Sequence, residues 1–502
     1  MIGVMDRPSI LQALRERKTP WDVLVIGGGA TGLGTAVDAA SRGLETVLVE
    51  RADFASGTSS RSTKLVHGGV RYLRQGRISL VMEALRERTR LLSNAAELVR
   101  SLAFIIPVRS SWEKAFYGVG LKLYEGLAGR NSLGPSEWLS REEVLAELPG
   151  LKPSGIQGGV RYWDAQFDDA RLALALARTL FERGGNPLNY GGVTQLIQQS
   201  GRVAGAQIQD LETGEALEVR ARVVVNATGV WCDDVRRLAN PEAAPTLLLS
   251  QGAHLVLDSE FLPADRAMMV PRTEDGRVLF VIPWQGRCLL GTTDTPIANA
   301  IRDPRPLDAE VDYLVREAGR WLRRAVLPAD ILSFFAGLRP LARPGTGVST
   351  AGASREHRID VSREGLITVL GGKWTTYRQM AEEVIDAAQG VGGWGKRPSA
   401  TAELRLSPEP PSSVLSSVPL HPRLPLTASG VDFAARVELA RTLEDVLSRR
   451  SRCLFLDAKA SLEIAPQVGR ILRATLKKSE RWEREQLDQF TRVVAAHLPF
   501  SG

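Results

Sequence analysis

The chain has 502 residues, 44% hydrophobic and 24% charged, with a mean hydropathy close to zero. That composition excludes a disordered chain, a fibre and a polytopic membrane protein, and the length suits two to four domains or one large core with insertions. Basic residues outnumber acidic ones by 64 to 57, almost all of them Arg; their dispersal excludes a nucleic-acid arm and leaves an anionic small molecule or membrane surface as a partner.

Residues 1–20 predict a short amphipathic helix ending at Pro20, with no apolar segment of the kind a secretory signal needs. Residues 22–26 form a short apolar run leading into glycines, the pattern of a buried parallel strand. Helical spacing follows over 30–42, and 46–50 reads as a second buried strand, which completes a strand–helix–strand unit. A long helix-like stretch spans 77–101. Residues 170–183 are helical, and 193–218 alternate like antiparallel strands with a turn at 212–215. Val223–Val225 is a further buried strand, 278–282 and 288–291 form a strand pair, and 366–370 precedes a helix from about Thr375 to Ala388. The Pro- and Ser-rich segment 389–430 reads as a linker or extended surface stretch, and 431–502 as a small all-helical domain with three helical patterns.

The chemistry begins at Gly27-Gly28-Gly29-Ala30-Thr31-Gly32. Gly27, Gly29 and Gly32 make a GxGxxG set that follows a strand and opens a helix. Glycines there allow a tight turn and close backbone approach to a pyrophosphate, and the helix N-terminus attracts its charge. Glu50 ends the next strand, where its carboxylate can accept ribose hydroxyls. Two later turns favour a long cofactor over a nicotinamide one. Asn226-Ala227-Thr228-Gly229 follows a buried strand, and Gly371-Gly372-Lys373-Trp374-Thr375-Thr376 follows another and opens a helix. A second helix N-terminus can stabilise negative charge on a reduced flavin. Cys232, Cys288 and Cys453 are too few and too scattered for a disulfide framework or a Cys zinc site, and no other metal spacing occurs.

The stretches TSSRSTKLVHGGVRYL (58–73), QFDDARL (166–172), VVNATGVW (224–231), LFVIPW (279–284), GTTDT (291–295), GLRPL (337–341) and GGKWTTYR (371–378) resemble the FAD-dependent glycerol-3-phosphate dehydrogenase family. The resemblance covers about residues 20–388 and resumes more weakly over 438–457. It implies an α/β, glutathione-reductase-like fold: a Rossmann-type FAD part interleaved with an antiparallel-sheet substrate part, plus the helical C-terminal domain. It further implies hydride transfer from C2 of glycerol-3-phosphate to FAD, dihydroxyacetone phosphate as product, and electrons passed to a quinone pool. The chain would then be cytoplasmic and peripherally attached to the inner face of the cytoplasmic membrane. A homodimer stays open, and so do two other readings: an oxidase that forms hydrogen peroxide from oxygen, and a flavin-binding protein without turnover.

By position in the matching motifs, Arg71, Arg339, Arg355 and Lys373 are the phosphate-binding candidates, with Tyr72 as a hydroxyl donor. Thr58, Ser59, Ser62 and Lys64 join Thr228, Gly229, Gly372 and Thr375 as expected FAD contacts. Removing a hydride from an alcohol carbon also requires a base for the hydroxyl proton. Of the five histidines, His67 in Val66-His67-Gly68-Gly69 is the first candidate and His254 the reserve. Asp294 is expected to be structural. Residues 112–127 mix aromatic rings with Lys114 and Lys122, which suits a membrane interface or a core helix.

Overall fold

The computed structural model describes residues 4–69, 76–263, 265–343, 357–411, 414 and 418–499. The first sheet grows from the apolar run ahead of the glycines. Trp21–Ile26 is a strand buried along nearly its whole length, paired in parallel with Ala216–Asn226 on one side and Thr46–Val49 on the other. Ile367–Leu370 and Asn186–Leu188 extend the parallel set outward. Strands covered on both faces carry continuous Val and Leu runs, which is why no alternation shows there. Helix Ala30–Ser41 lies against this sheet and packs beside helices Tyr377–Gly392 and Asp169–Glu182. Its small residues permit this: a Cβ on Gly34 would sit 2.8 Å from the Tyr377 ring.

The stretch 193–218, expected as antiparallel strands with a turn at 212–215, continues into the parallel sheet as three strands, Gly191–Gln199, Arg202–Asp210 and Ala216–Asn226. The extra reversal falls at Ser200-Gly201, both at positive φ (52° and 73°), the primed-turn geometry that matches strand twist. The 77–101 helix is shorter than its spacing implies. Ile78–Asn94 is helical, and Val99 already begins the strand Val99–Val108.

The second sheet is ten-stranded over the described residues and largely antiparallel. Leu247–Asp258 runs along Ile331–Ala342, and Val99–Val108 along Gly158–Phe167. Period-two alternation sorts its faces. In Leu279–Trp284, Leu279 and Val281 pack toward helix Asp308–Trp321, while Ile282 and Trp284 pack toward the C-terminal helices. Those helices are Ala428–Val437, Cys453–Leu456, Ala458–Leu476 and Glu480–Ala495, with a π-helical turn at Asp445–Arg450.

Buried ion pairs bind this helical end to the rest. Asp53 takes Arg449 and Arg450, Glu438 takes Arg171 and Arg178, and Asp169 takes Arg452 and Lys64. Part of segment 389–430 is built into the body as well. Thr401, Leu404 and Ser407 are buried, and Arg178 donates to the Pro408 carbonyl (2.7 Å).

Candidate active site

Three turns at strand ends meet along one cavity. The first joins Trp21–Ile26 to helix Ala30–Ser41. Gly27 has φ +110°, and a Cβ there would lie 2.6 Å from the Ala227 carbonyl oxygen. The first and second turns are thus in backbone contact. A Cβ on Gly32 would overlap the Gly27 carbonyl, so Gly32 serves helix–strand packing and does not line the cavity. Glu50 accepts the Gly28 amide at Oε2 (2.7 Å) and the Ala52 amide at Oε1 (2.8 Å). Burial raises its carboxyl above the usual range, and these two amides pull it back.

The loop between Glu50 and His67 is pinned residue by residue. Ser59 Oγ accepts the Ala30 amide (2.9 Å), and its carbonyl accepts Trp374 Nε1 (2.9 Å), so the loop bridges the first and third turns. Thr58 Oγ1 donates to the Leu338 carbonyl (2.5 Å). Ser62 donates its amide (3.0 Å) and Oγ (2.7 Å) to Asp169. Thr58, Ser59 and Ser62 all line the cavity. Lys64 departs from the expectation. Its backbone sits at φ 63°, and its Nζ turns inward to Asp169 Oδ2 (2.7 Å) and the Ser60 carbonyl (2.8 Å). Burial draws its ammonium down to about 7 against the pull of Asp169. Its side chain does not line the cavity but holds the loop from behind.

At the second turn, Thr228 Oγ1 donates to Asn226 Oδ1 (2.7 Å), and Gly229 takes φ +58°. At the third, Gly371 and Gly372 are both at positive φ, and Lys373 precedes a short 3₁₀ turn, Trp374–Thr376, that runs into helix Tyr377–Gly392.

The cavity these turns enclose measures about 900 Å³. It is lined by Gly27, Gly29, Glu50, Thr58, Ser59, Ser62, His67, Thr228, Gly229, Arg339, Gly372, Lys373 and Thr375. Arg71, Tyr72 and Arg355 lie outside the described residues. Arg339 is aimed by its surroundings: Nη1 donates to the Thr293 carbonyl (3.1 Å) and Nη2 to Thr292 Oγ1 (3.1 Å), with Asp294 at 3.5 Å. Asp294 also accepts Ser250 Oγ, so its place beside Arg339 is structural. A Cβ on Gly252, in the strand alongside, would collide with the Arg339 guanidinium.

The sequence reading missed Arg61 and Arg302, which also line the cavity. Arg61 pairs with Asp303 (2.8 Å). Arg61 lies within the 58–73 stretch, no motif marks Arg302, and only the fold brings 303 to 61.

His254 lines the same cavity, stacked on Phe335 (4.8 Å between centroids), with Nε2 on Thr63 Oγ1 (2.9 Å). Burial and the charges of Lys64 and Arg339 hold it well below its ordinary value. Burial likewise pulls His497 down to about 4. Both rings stay neutral in the fold, whereas the unfolded chain takes up protons near pH 6.5. The unfolded state therefore binds more protons as pH falls from 6.5 toward 4. Folding stability is lost over that window, by up to about 1.4 kcal/mol per pH unit for each ring. Urea unfolding at about pH 7 and about pH 5 is expected to show this loss, and His497→Gln to lessen it. The three cysteine thiols are buried and pushed up to about 12, which leaves them unreactive.

The site fits FAD on its own geometry. Helix Ala30–Ser41 begins at Gly29, which has no side chain to cap it, so its N-terminus stays approachable by a pyrophosphate although Ser59 takes the Ala30 amide. Side chains at Gly27 and Gly372 would collide with the Ala227 backbone and with Met380. The cavity continues past the second turn to a second helix start, a length a mononucleotide would not need.

Comparison with known proteins agrees. Residues 22–378 match the FAD-dependent oxidoreductase family, and 394–483 match the C-terminal domain of alpha-glycerophosphate oxidase. The chain is 36% identical to the mitochondrial glycerol-3-phosphate dehydrogenase of Mus musculus, over 98% of this chain and 75% of that one. It is 35% identical to the Saccharomyces cerevisiae protein of the same name, over 94% and 89%. The FAD complex of the Bacillus halodurans glycerol-3-phosphate dehydrogenase superposes with a TM-score of 0.80 at 28% identity, over 98% of both chains. The L-alpha-glycerophosphate oxidase of Mycoplasma pneumoniae shares the fold, with a TM-score of 0.57 at 18% identity, over 78% of this chain and 97% of that one. The three-turn cavity, the two matched domains and relatives that align along nearly the whole chain place this protein in the FAD-dependent glycerol-3-phosphate dehydrogenase family.

Proposed function

We propose that this chain oxidises sn-glycerol 3-phosphate to dihydroxyacetone phosphate and passes the electrons to a quinone. The observation that carries the reading is the meeting of His67, Arg339 and Lys373 on the cavity that the glycine turns enclose. A phosphate dianion needs fixed cations. Arg339 supplies a guanidinium already oriented by the 292–294 segment, and Lys373 supplies a compact charge at a helix start. FAD, when bound, supplies the acceptor for the hydride leaving C2. The C2 hydroxyl proton then needs a home, and the His67 imidazole takes it as the C–O bond gains double-bond character. His254 is the weaker candidate because burial beside two cations suppresses its basicity. Its bond to Thr63 instead ties the loop to the antiparallel sheet.

Turnover with a soluble quinone analogue, with little peroxide formed in air, is the expected result. Peroxide formed in step with product would make the chain an oxidase.

Peripheral membrane attachment belongs to the same proposal. No helix among the described residues is long and apolar enough to cross a membrane. Helix Ser111–Ala128 exposes Trp112 (71%), Phe116, Val119 (68%) and Leu123, with Trp138 beside it. Such a face can bury ~5–10 Å into a headgroup boundary. Flotation with anionic liposomes is expected, and Trp112→Ala together with Val119→Ser should abolish it. Retention of the parent chain in the soluble fraction at low salt would count against attachment.

A further inference from the structure

His67 sits where a strand stops pairing. Leu65 and Val66 are in register with Gln166 and Ala165 of Gly158–Phe167. Continued, the ladder would set His67 opposite Asp164 and Gly68 opposite Trp163, but the Gly68 amide is taken by side chains. The Gly68 amide donates to Tyr124 Oη (2.9 Å) and, at 3.3 Å, to Asp164 Oδ1. Tyr124 Oη donates to Asp164 Oδ2 (3.0 Å), and Arg88 Nη1 donates to Asp164 Oδ1 (2.8 Å). Arg88 is itself fixed through Nη2 to the Asn131 carbonyl (2.7 Å). All three side chains are buried.

The polarity of this chain is set. An ionised carboxylate only accepts, so Tyr124 must donate to Asp164 and take the Gly68 amide on its own oxygen. Gly68 allows the approach, since a Cβ there would collide with Tyr124 Oη and with Leu85. The residue before His67 is thus held by the sheet, and the residue after it by a buried hydroxyl.

We propose that Tyr124, backed by Asp164 and Arg88, is the positioning group that aims His67 at the C2 hydroxyl of the substrate. This rests on His67 as the base. Tyr124 does not line the cavity, so its loss should act through the aim of His67.

The test is Tyr124→Phe in the full-length FAD-loaded enzyme, alone and combined with His67→Gln. Phe keeps the ring and its edge contact with Tyr162 (6.5 Å between centroids), so the fold should survive. Small misplacements of a reacting group can cost up to ~10²-fold, and the expected fall in kcat is about tenfold, with KM within about twofold and FAD content unchanged. On the His67→Gln background, the same substitution should cost less than about twofold, because residues acting as one unit are not additive. If Tyr124→Phe does not yield loaded enzyme, the same two readings are taken from Asp164→Asn. Parent-like kcat in the variant, or an undiminished loss on the His67→Gln background, overturns the positioning role. Full turnover in His67→Gln alone overturns the base assignment instead, so the two failures are told apart.

Discussion

Replacing His67 by Gln is expected to cut turnover by about 10²- to 10⁴-fold, the range a positioned general base contributes. Gln keeps a polar side chain of similar reach but cannot take a proton at neutral pH. FAD content and the melting temperature should stay close to those of the parent, because the flavin-side loop is pinned by Ser59, Ser62 and Lys64 independently of His67. KM should change far less than kcat, since the lost interaction belongs to the transition state. Should His67 only pack against the flavin, turnover would persist and the visible spectrum of the bound flavin would shift instead. Steady-state kinetics with the absorption spectrum of the same preparation separates these outcomes.

Removing a cation should give the opposite signature. Arg339→Ala and Lys373→Ala are each expected to raise KM for glycerol 3-phosphate by about 10- to 100-fold, the worth of one or two charge-assisted hydrogen bonds. Arg339→Lys should recover only part of the loss, because an ammonium cannot reproduce two parallel guanidinium bonds. Arg339→Ala also removes one cation beside Asp294, so part of its effect is repulsion of the phosphate. Asp294→Asn, which keeps the Ser250 contact and removes that charge, should bind substrate at least as well as the parent. Unchanged KM in both alanine variants would remove the phosphate assignment. Initial rates over a substrate series, with FAD occupancy measured in parallel, check each variant.

The elements that backbone geometry demands were readable in the sequence. Gly27 and Gly372, both at positive φ, have no room for a side chain where they lie, and Glu50 has to follow the strand Thr46–Val49 directly to reach the Gly28 amide. Such constraints are local and leave fixed spacings. Lys64 shows where this stops. Its motif is the family's, but a left-handed backbone turns its side chain to Asp169, a partner 105 residues away. Arg61 with Asp303, and Asp53 with Arg449 and Arg450, are equally remote pairings that no spacing announces. Residues 112–127 were legible as an aromatic, basic stretch. That Tyr124 on the same helix reaches in to hold Gly68 depends on packing against Asp164, which only the folded chain supplies. The Ser200-Gly201 reversal was missed because Ser is a rare choice at positive φ.

The proposed reaction needs a flavin beside a hollow whose base and cations act on one three-carbon phosphoester. It is tested most directly by mixing the FAD-loaded protein with sn-glycerol 3-phosphate in a stopped-flow spectrometer without oxygen. Rapid loss of the visible flavin band is expected, together with release of dihydroxyacetone phosphate in an amount equal to the flavin reduced. A flavin that stays yellow with excess substrate, or that bleaches equally well with plain glycerol, would contradict it.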